Sequence, residues 1–210
     1  MNVGDIKRRV TNVLGDDAKI VFEDPDLIDM INDAQVDICR KTGLLSSEQL
    51  YSLSTVTTSW ALPPDCIEIL RVVMDGKKLY KTTWQEVDML DPSKDSGATR
   101  GTPTCFYTIG NKIWFYPYTS QNTTNNIRLV YTCTPTILVN DTDTPDIPIA
   151  YHEDIVIRVI ARGHELVEDF QAAAAKASEY NNAITLTQEQ SRDVADESYP
   201  YVRDIESQYY

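Results

Sequence analysis

Apolar residues at Ile6, Val10, Val13 and Leu14 recur at helical spacing, with Lys7, Arg8 and Arg9 turned elsewhere. They predict a short amphipathic helix ending at Gly15. A second helix opens at Asp24, whose side chain can cap it, with Pro25 in the first turn where a missing N–H costs nothing. Leu27, Ile31, Ala34 and Ile38 form its buried stripe, Arg40 and Lys41 suit the negative end of its dipole, and Gly43 supplies the left-handed stop.

The period then changes. Tyr51, Leu53 and Thr55 alternate with polar partners, so Ser52 to Ser59 reads as a half-exposed strand, broken by Leu62-Pro63-Pro64-Asp65. Ile67 to Met74 is an apolar run that turns at Asp75-Gly76 into Lys78-Leu79-Tyr80. Thr83-Trp84-Gln85-Glu86 is a capping box opening a brief helix that stops near Asp91-Pro92. Residues 92 to 104 read as loop. Cys105–Ile109 and Lys112–Tyr116 flank Gly110-Asn111 as a second hairpin; residues 119 to 126 are a polar tip, and Ile127–Thr134 is a further strand.

Pro135 to Pro148 reads as an extended connector. A long helix follows to about Asp169 and continues through the alanine-rich Ala172–Ala177 to about Asp196. Ile155, Val156, Val159, Ile160, Gly163, Leu166, Val167 and Phe170 share its broad apolar face. Asp154, Arg158, Arg162, Glu165 and Asp169 form a narrow mixed-charge stripe beside it. Ser198 to Tyr210, with Tyr199, Tyr201, Tyr209 and Tyr210 but few aliphatics, reads as a tail that orders on a partner. The expected fold class is α+β: a helical bundle from the N- and C-terminal segments, an inserted antiparallel β-domain and an extended C-terminal tail. The expected divisions are 1–48, 49–134, 135–148, 149–197 and 198–210.

Charge changes the functional picture. A net charge of −13 leaves no electrostatic footprint for gripping phosphates, since affinity for nucleic acid comes mainly from Lys and Arg. No stretch approaches a membrane span. The first residues carry charge with no apolar run behind them, so a cytoplasmic site of synthesis is expected. Cys39, Cys66, Cys105 and Cys133 lie at long spacings without a CxxC pair and read as small buried hydrophobes.

The candidate chemistry is thin. His164-Glu165-Leu166-Val167-Glu168 resembles a metalloprotease helix, but a zincin needs His where Glu168 stands, and His152 lies three turns away. Asp16-Asp17 and Asp141/Asp143 lack the remaining ligands of a calcium loop. Phe106, Tyr107, Trp114, Phe115, Tyr116 and Tyr118 suit either a sugar platform or the core of a sheet. The expectation is a protein that is not an enzyme, with no catalytic, metal or cofactor-binding residues.

The order of elements resembles the head-to-tail adaptor family of tailed phages, of the tail tubular protein A type. The resemblance is carried by Leu27-Ile28-Asp29-Met30-Ile31-Asn32-Asp33-Ala34-Gln35 followed by Thr42-Gly43-Leu44-Leu45, by Leu62-Pro63-Pro64-Asp65 before a strand with Arg71-Val72, and by Gly101-Thr102-Pro103 before a strand ending in Tyr116-Pro117. Tyr131, Pro135, Leu138, Pro145 to Pro148 and Tyr151 complete it, over most of residues 20 to 180. The resemblance implies a twelve-subunit ring beneath the portal protein, at the head–tail junction of the virion. Such a ring extends the DNA channel without binding DNA specifically and gives tail or nozzle proteins a platform. Within that expectation, the stripe Asp154, Arg158, Arg162, Glu165 and Asp169 would pair across subunits. Its alternative is a solvated face with i,i+4 pairs such as Asp154 with Arg158. Tyr199, Tyr201, Tyr209 and Tyr210 would dock on the portal. A different neck or tail-completion protein, a peptidoglycan hydrolase and a glycan-binding module stand as rivals.

Overall fold

The computed structural model describes residues 1–16, 21–92 and 99–197, with the side chains described as far as 188. Five α-helices and ten short strands occur among them, so the chain is mixed α+β as its patterning predicts. The chain divides into two compact units: Met1–Leu45 with Thr134 onward, and Ser46–Cys133.

The first unit is helical. Helix α1 (Val3–Leu14) is capped by Asn2, whose side chain accepts the Asp5 N–H, and ends where Gly15 takes φ +71°. Helix α2 (Asp24–Thr42) ends likewise at Gly43, φ +67°. Its cap is Glu23, one residue before the expected Asp24, in a reciprocal box with Asp26. A short 3₁₀ turn (Ile149–Tyr151) leads into α4 (His152–Leu166), and α5 (Phe170–Glu197) follows.

The continuous helix expected from 149 onward is a helical hairpin instead. The chain reverses at Val167–Asp169, where Glu168 takes φ +61°. Asp169 forces the break by capping α5: its carboxylate accepts the Ala172 N–H at 3.2 Å. The two helices then pack on each other, with Ile155, Val159 and Ile160 of α4 and Ala173, Tyr180 and Ile184 of α5 all buried. Leu166, Val167 and Phe170, expected on the buried face, lie at or beyond the turn and are exposed.

Residues 134–148 form a strap along α1 and α2. Pro135, Leu138, Pro145 and Ile147 are buried in it. Asn32 holds Leu138 from both sides, accepting its N–H at 2.9 Å and donating to its carbonyl at 3.0 Å. The Val3 and Gly4 N–H groups donate to Asp143 and Asp141 carbonyls, both at 2.9 Å.

The second unit is a small β-domain. One sheet has the order β1 (Ser46–Tyr51), β10 (Ile127–Cys133), β3 (Cys66–Met74), β4 (Lys77–Lys78) and is antiparallel throughout. The other runs β2 (Ser59–Ala61), β8 (Lys112–Tyr116), β7 (Cys105–Ile109), β5 (Tyr80–Lys81). The two pack around Tyr51, Val72, Phe106, Ile113, Phe115 and Leu129. Helix α3 (Trp84–Leu90) covers the outer face of the second sheet through Val87, Tyr107 and Tyr116. The Asp75-Gly76 turn has positive φ at both residues, the geometry that matches strand twist.

Three details differ from the pattern. The strand expected over Ser52–Ser59 is a loop through residue 58, and Ser59 opens β2. Ser54 Oγ captures the Val56 and Thr57 N–H groups and Asn122 captures that of Thr55, so side chains take the donors a ladder would need. The strand proper is β1, where the backbone pairs with β10. Parallel pairings also enter: β5 beside β7, and β6 (Arg100–Gly101), within the expected loop, beside β9 (Tyr118–Thr119). Finally, only Cys39 is buried among the cysteines, and Cys66 stands opposite Cys133 across β3 and β10.

Candidate assembly surfaces

The mixed-charge stripe of α4 is divided by the hairpin. Arg158 does not close onto Asp154. Its Nε reaches Asp37 of α2 at 3.6 Å, and its guanidinium lies over the Tyr180 ring of α5 at 5.7 Å. Asp37 also accepts from Lys41 Nζ at 2.8 Å and from the Tyr180 hydroxyl at 2.8 Å. Lys41 stacks over the same ring at 4.8 Å. One carboxylate thus ties α2, α4 and α5. Burial alone would raise the Asp37 pKa, but the Lys41 and Tyr180 hydrogen bonds and the Arg158 charge outweigh it and hold the carboxyl below its usual value. Burial, reinforced by Asp37, pushes the Tyr180 phenol far up.

Further along the stripe, Arg162 closes onto Glu165 at 2.8 Å, and Asp169 lies 3.7 Å from His164. Partial burial and the neighbouring Glu153 charge raise the Asp154 pKa. Arg158 and Arg162 come together over a cavity of about 70 Å³ with Asp33, Met30 and Ala34, room for about two waters.

A second charged node sits beneath the strap. Lys7 is 5% exposed and pairs with Asp24 at 2.9 Å and with Asp141. Burial works against its charge, yet the two carboxylates prevail and raise its pKa. Lys7→Met is expected to cost about 2 kcal/mol, because the strap loses its anchor and the Asp24 and Asp141 carboxylates lose the cation they share. Urea denaturation measures this; a loss under ~0.5 kcal/mol, the size of an ordinary surface change, would show the node to be incidental.

The remaining candidates resolve into structural parts. Asp143 accepts the Val139 and Asn140 N–H groups at 2.9 and 2.8 Å, which lowers its pKa, and Asp146 accepts that of Thr136 at 2.7 Å. The acids of the connector therefore shape its turns. His152 is buried, with Nε2 2.7 Å from the Ile147 carbonyl oxygen and Nδ1 3.0 Å from the Met1 amine. Among the described residues no group of three or more His, Cys, Asp or Glu is placed to hold a metal ion. Phe106, Tyr107, Phe115 and Tyr116 are buried, and Trp114 stacks on Tyr107 at 5.7 Å, so most of the aromatic cluster is sheet core. No helix among the described residues is long and apolar enough to cross a membrane. Tyr199, Tyr201, Tyr209 and Tyr210 lie outside the described residues.

Charge is wholly segregated between the units. Ser46–Cys133 holds eight acidic and eight basic residues and is neutral; the helical segments hold twenty-four acidic and eleven basic, the entire −13. Composition alone hides this, since the β-domain is an insertion. Asp37 and Tyr180 also escaped sequence reasoning. Their available signals were the i,i+4 spacing of Asp37 to Lys41 and the heptad-like recurrence of Ala173, Tyr180 and Thr187.

A family model described as SU10 adaptor protein matches residues 1–203. No curated protein matches the chain significantly. The match agrees with an adaptor-type protein and does not extend to the tail tubular protein A type.

Proposed function

The chain belongs to the SU10 adaptor protein family, a phage adaptor-type family, and on that premise we propose that it is a subunit of the ring joining portal to tail. Copies assemble at the head–tail junction of the virion, as in adaptors of the tail tubular protein A type, with twelve subunits to a ring. The ring extends the DNA channel and offers later tail or nozzle proteins a platform. Assembly takes place in the host cytoplasm.

The observation that carries this reading is the segregation of charge. A wall that must let DNA slide should repel phosphates, and the helical unit carries all the excess acid. A neutral β-domain is free of that repulsion and suits docking of other virion proteins. Within the stripe, Arg162, Glu165 and Asp169 are the residues open enough to meet a neighbouring copy, while Arg158 braces its own chain. The tyrosines of 198–210 supply the portal contact, large in area and few in rotors.

The test is the mass of the purified protein, alone and with the portal protein of the same phage, followed by electron microscopy. A twelve-fold ring on the portal is expected, with affinity reduced at least ~10-fold on deleting 198–210. A chain that stays monomeric and ignores the portal sinks the proposal; a ring that survives the deletion unchanged removes the tail from it.

A further inference from the structure

The ring proposed above requires heterologous contacts, in which one surface projects and a different one receives. Among the described residues, the exposed apolar side chains include a surface of each kind. The projecting one is the α4–α5 turn. Leu166, Val167 and Phe170 are 52%, 45% and 68% exposed there, and none enters the core. Glu165, Glu168 and Asp169 surround them. Arg162 engages Glu165 and His164 approaches Asp169, whereas Glu168 is held outward at the apex with φ +61°. A left-handed position normally favours Gly or Asn. Glutamate there keeps a carboxylate beside the apolar knob at some cost to the fold.

The receiving surface lies on the β-domain. Between the edge strand β5 and helix α3 runs an open groove of about 550 Å³. Tyr80, Met89 and Leu90 line it at 72%, 82% and 74% exposure, three large apolar side chains side by side in solvent. Lys81 also lines it, and Lys77 and Lys78 stand exposed on adjoining β4. Its one carboxylate among the described residues, Glu86, is engaged by Thr82 Oγ1 at 2.6 Å and the Thr83 N–H at 2.8 Å.

We propose that the α4–α5 turn of one copy seats in the β5–α3 groove of the next, with Phe170 and its neighbours in the groove and Glu168 against Lys81. This rests on the ring reading and gives it a specific contact. Charge complementarity selects the occupant: an acidic, apolar-tipped knob fits an apolar groove whose free charge is Lys81, and each copy carries both surfaces. Because knob and groove are different surfaces, the contact propagates from copy to copy until a ring closes.

The experiment uses the full chain with the portal protein, reading ring yield by native mass spectrometry and fold by circular dichroism. Phe170→Ser is expected to lower yield about tenfold and Lys81→Glu about fivefold, with each variant still folded. Lys81→Glu combined with Glu168→Lys should restore yield to within about twofold, since the pair is re-formed with reversed signs. A Lys81→Cys, Glu168→Cys chain treated with diamide, which takes up the two electrons and two protons of each thiol pair, should give a ladder of disulfide-linked copies on a non-reducing gel that the wild type, with its four native thiols, does not. Folded variants that assemble like the wild type, a loss that double reversal does not rescue, or a cross-link confined to single chains would each overturn this contact while leaving the ring standing. A wild type that stays monomeric with the portal overturns both.

Discussion

Replacing Tyr180 by alanine is expected to cost about 4 kcal/mol and to unfold the helical unit under conditions where the wild type is intact. Tyr180 is 2% exposed, and its ring fills the junction of α2, α4 and α5. Three losses coincide on truncation. The aromatic volume goes, leaving a cavity that three helices cannot collapse into without moving. The hydroxyl that donates to Asp37 at 2.8 Å goes. Lys41 and Arg158 lose the face over which they stack at 4.8 and 5.7 Å. Tyr180→Phe separates these terms. It keeps the ring and removes one hydrogen bond to a charged partner, for a cost of about 1–2 kcal/mol. Urea midpoints followed by helical ellipticity give both values. If alanine costs no more than phenylalanine, the ring is not the keystone and the packing argument fails.

This junction also shows where the sequence stops informing. Single-element signals were legible because each is local: Gly15 and Gly43 end helices by conformation alone, and Asp75-Gly76 turns a hairpin whatever surrounds it. The apolar periods of α2 and of α4 as far as Ile160 likewise marked their buried faces, whereas in α1 only Ile6 and Val10 kept to the expected stripe: Val13 is exposed, and Lys7, expected to turn away, is buried between two carboxylates. Three kinds of feature were not legible. The reversal at Val167–Asp169 carries no Gly or Pro, and a helical wheel cannot see that Asp169 starts a new helix. The Ser/Thr alternation after Tyr51 imitates a strand, because period cannot reveal that Ser54 and Asn122 take the backbone donors. Asp37 looks like one more surface acid in α2 until α4 and α5 bring Arg158 and Tyr180 to it from more than a hundred residues away. The knob and groove are hidden in the same way: the helical period puts Phe170 on the buried face, and Tyr80 reads as an ordinary member of a hairpin.

Stability is expected to hold across neutral pH and to collapse above about pH 10, where an unfolded tyrosine loses its proton. Burial raises the phenols of Tyr51, Tyr116, Tyr131 and Tyr180, and pushes Tyr51 up to about 12. For an acid whose folded pKa lies above its unfolded one, the stabilisation is complete below the unfolded value. It is lost as pH rises through the interval between them, because only the unfolded chain releases the proton there. Lys7 follows the same sign, its raised pKa sustaining the strap until the amine deprotonates. Asp37 has the opposite sign: its depressed pKa contributes above about 3.8, and that contribution is lost as pH falls through the folded value. The alkaline limb should be the steeper, since several buried phenols act together against one carboxylate. Tyrosinate absorbance should therefore rise in two stages, exposed phenols first and these four only as the chain unfolds. Tyr51→Phe should move the second stage to higher pH, since it removes one phenol whose ionisation drives unfolding while keeping the ring that packs 6.3 Å from Phe115. A single-stage rise centred near pH 10, or urea midpoints that stay level from pH 9 to about 11.5, would mean that these hydroxyls reach solvent freely and that burial exerts no hold on them.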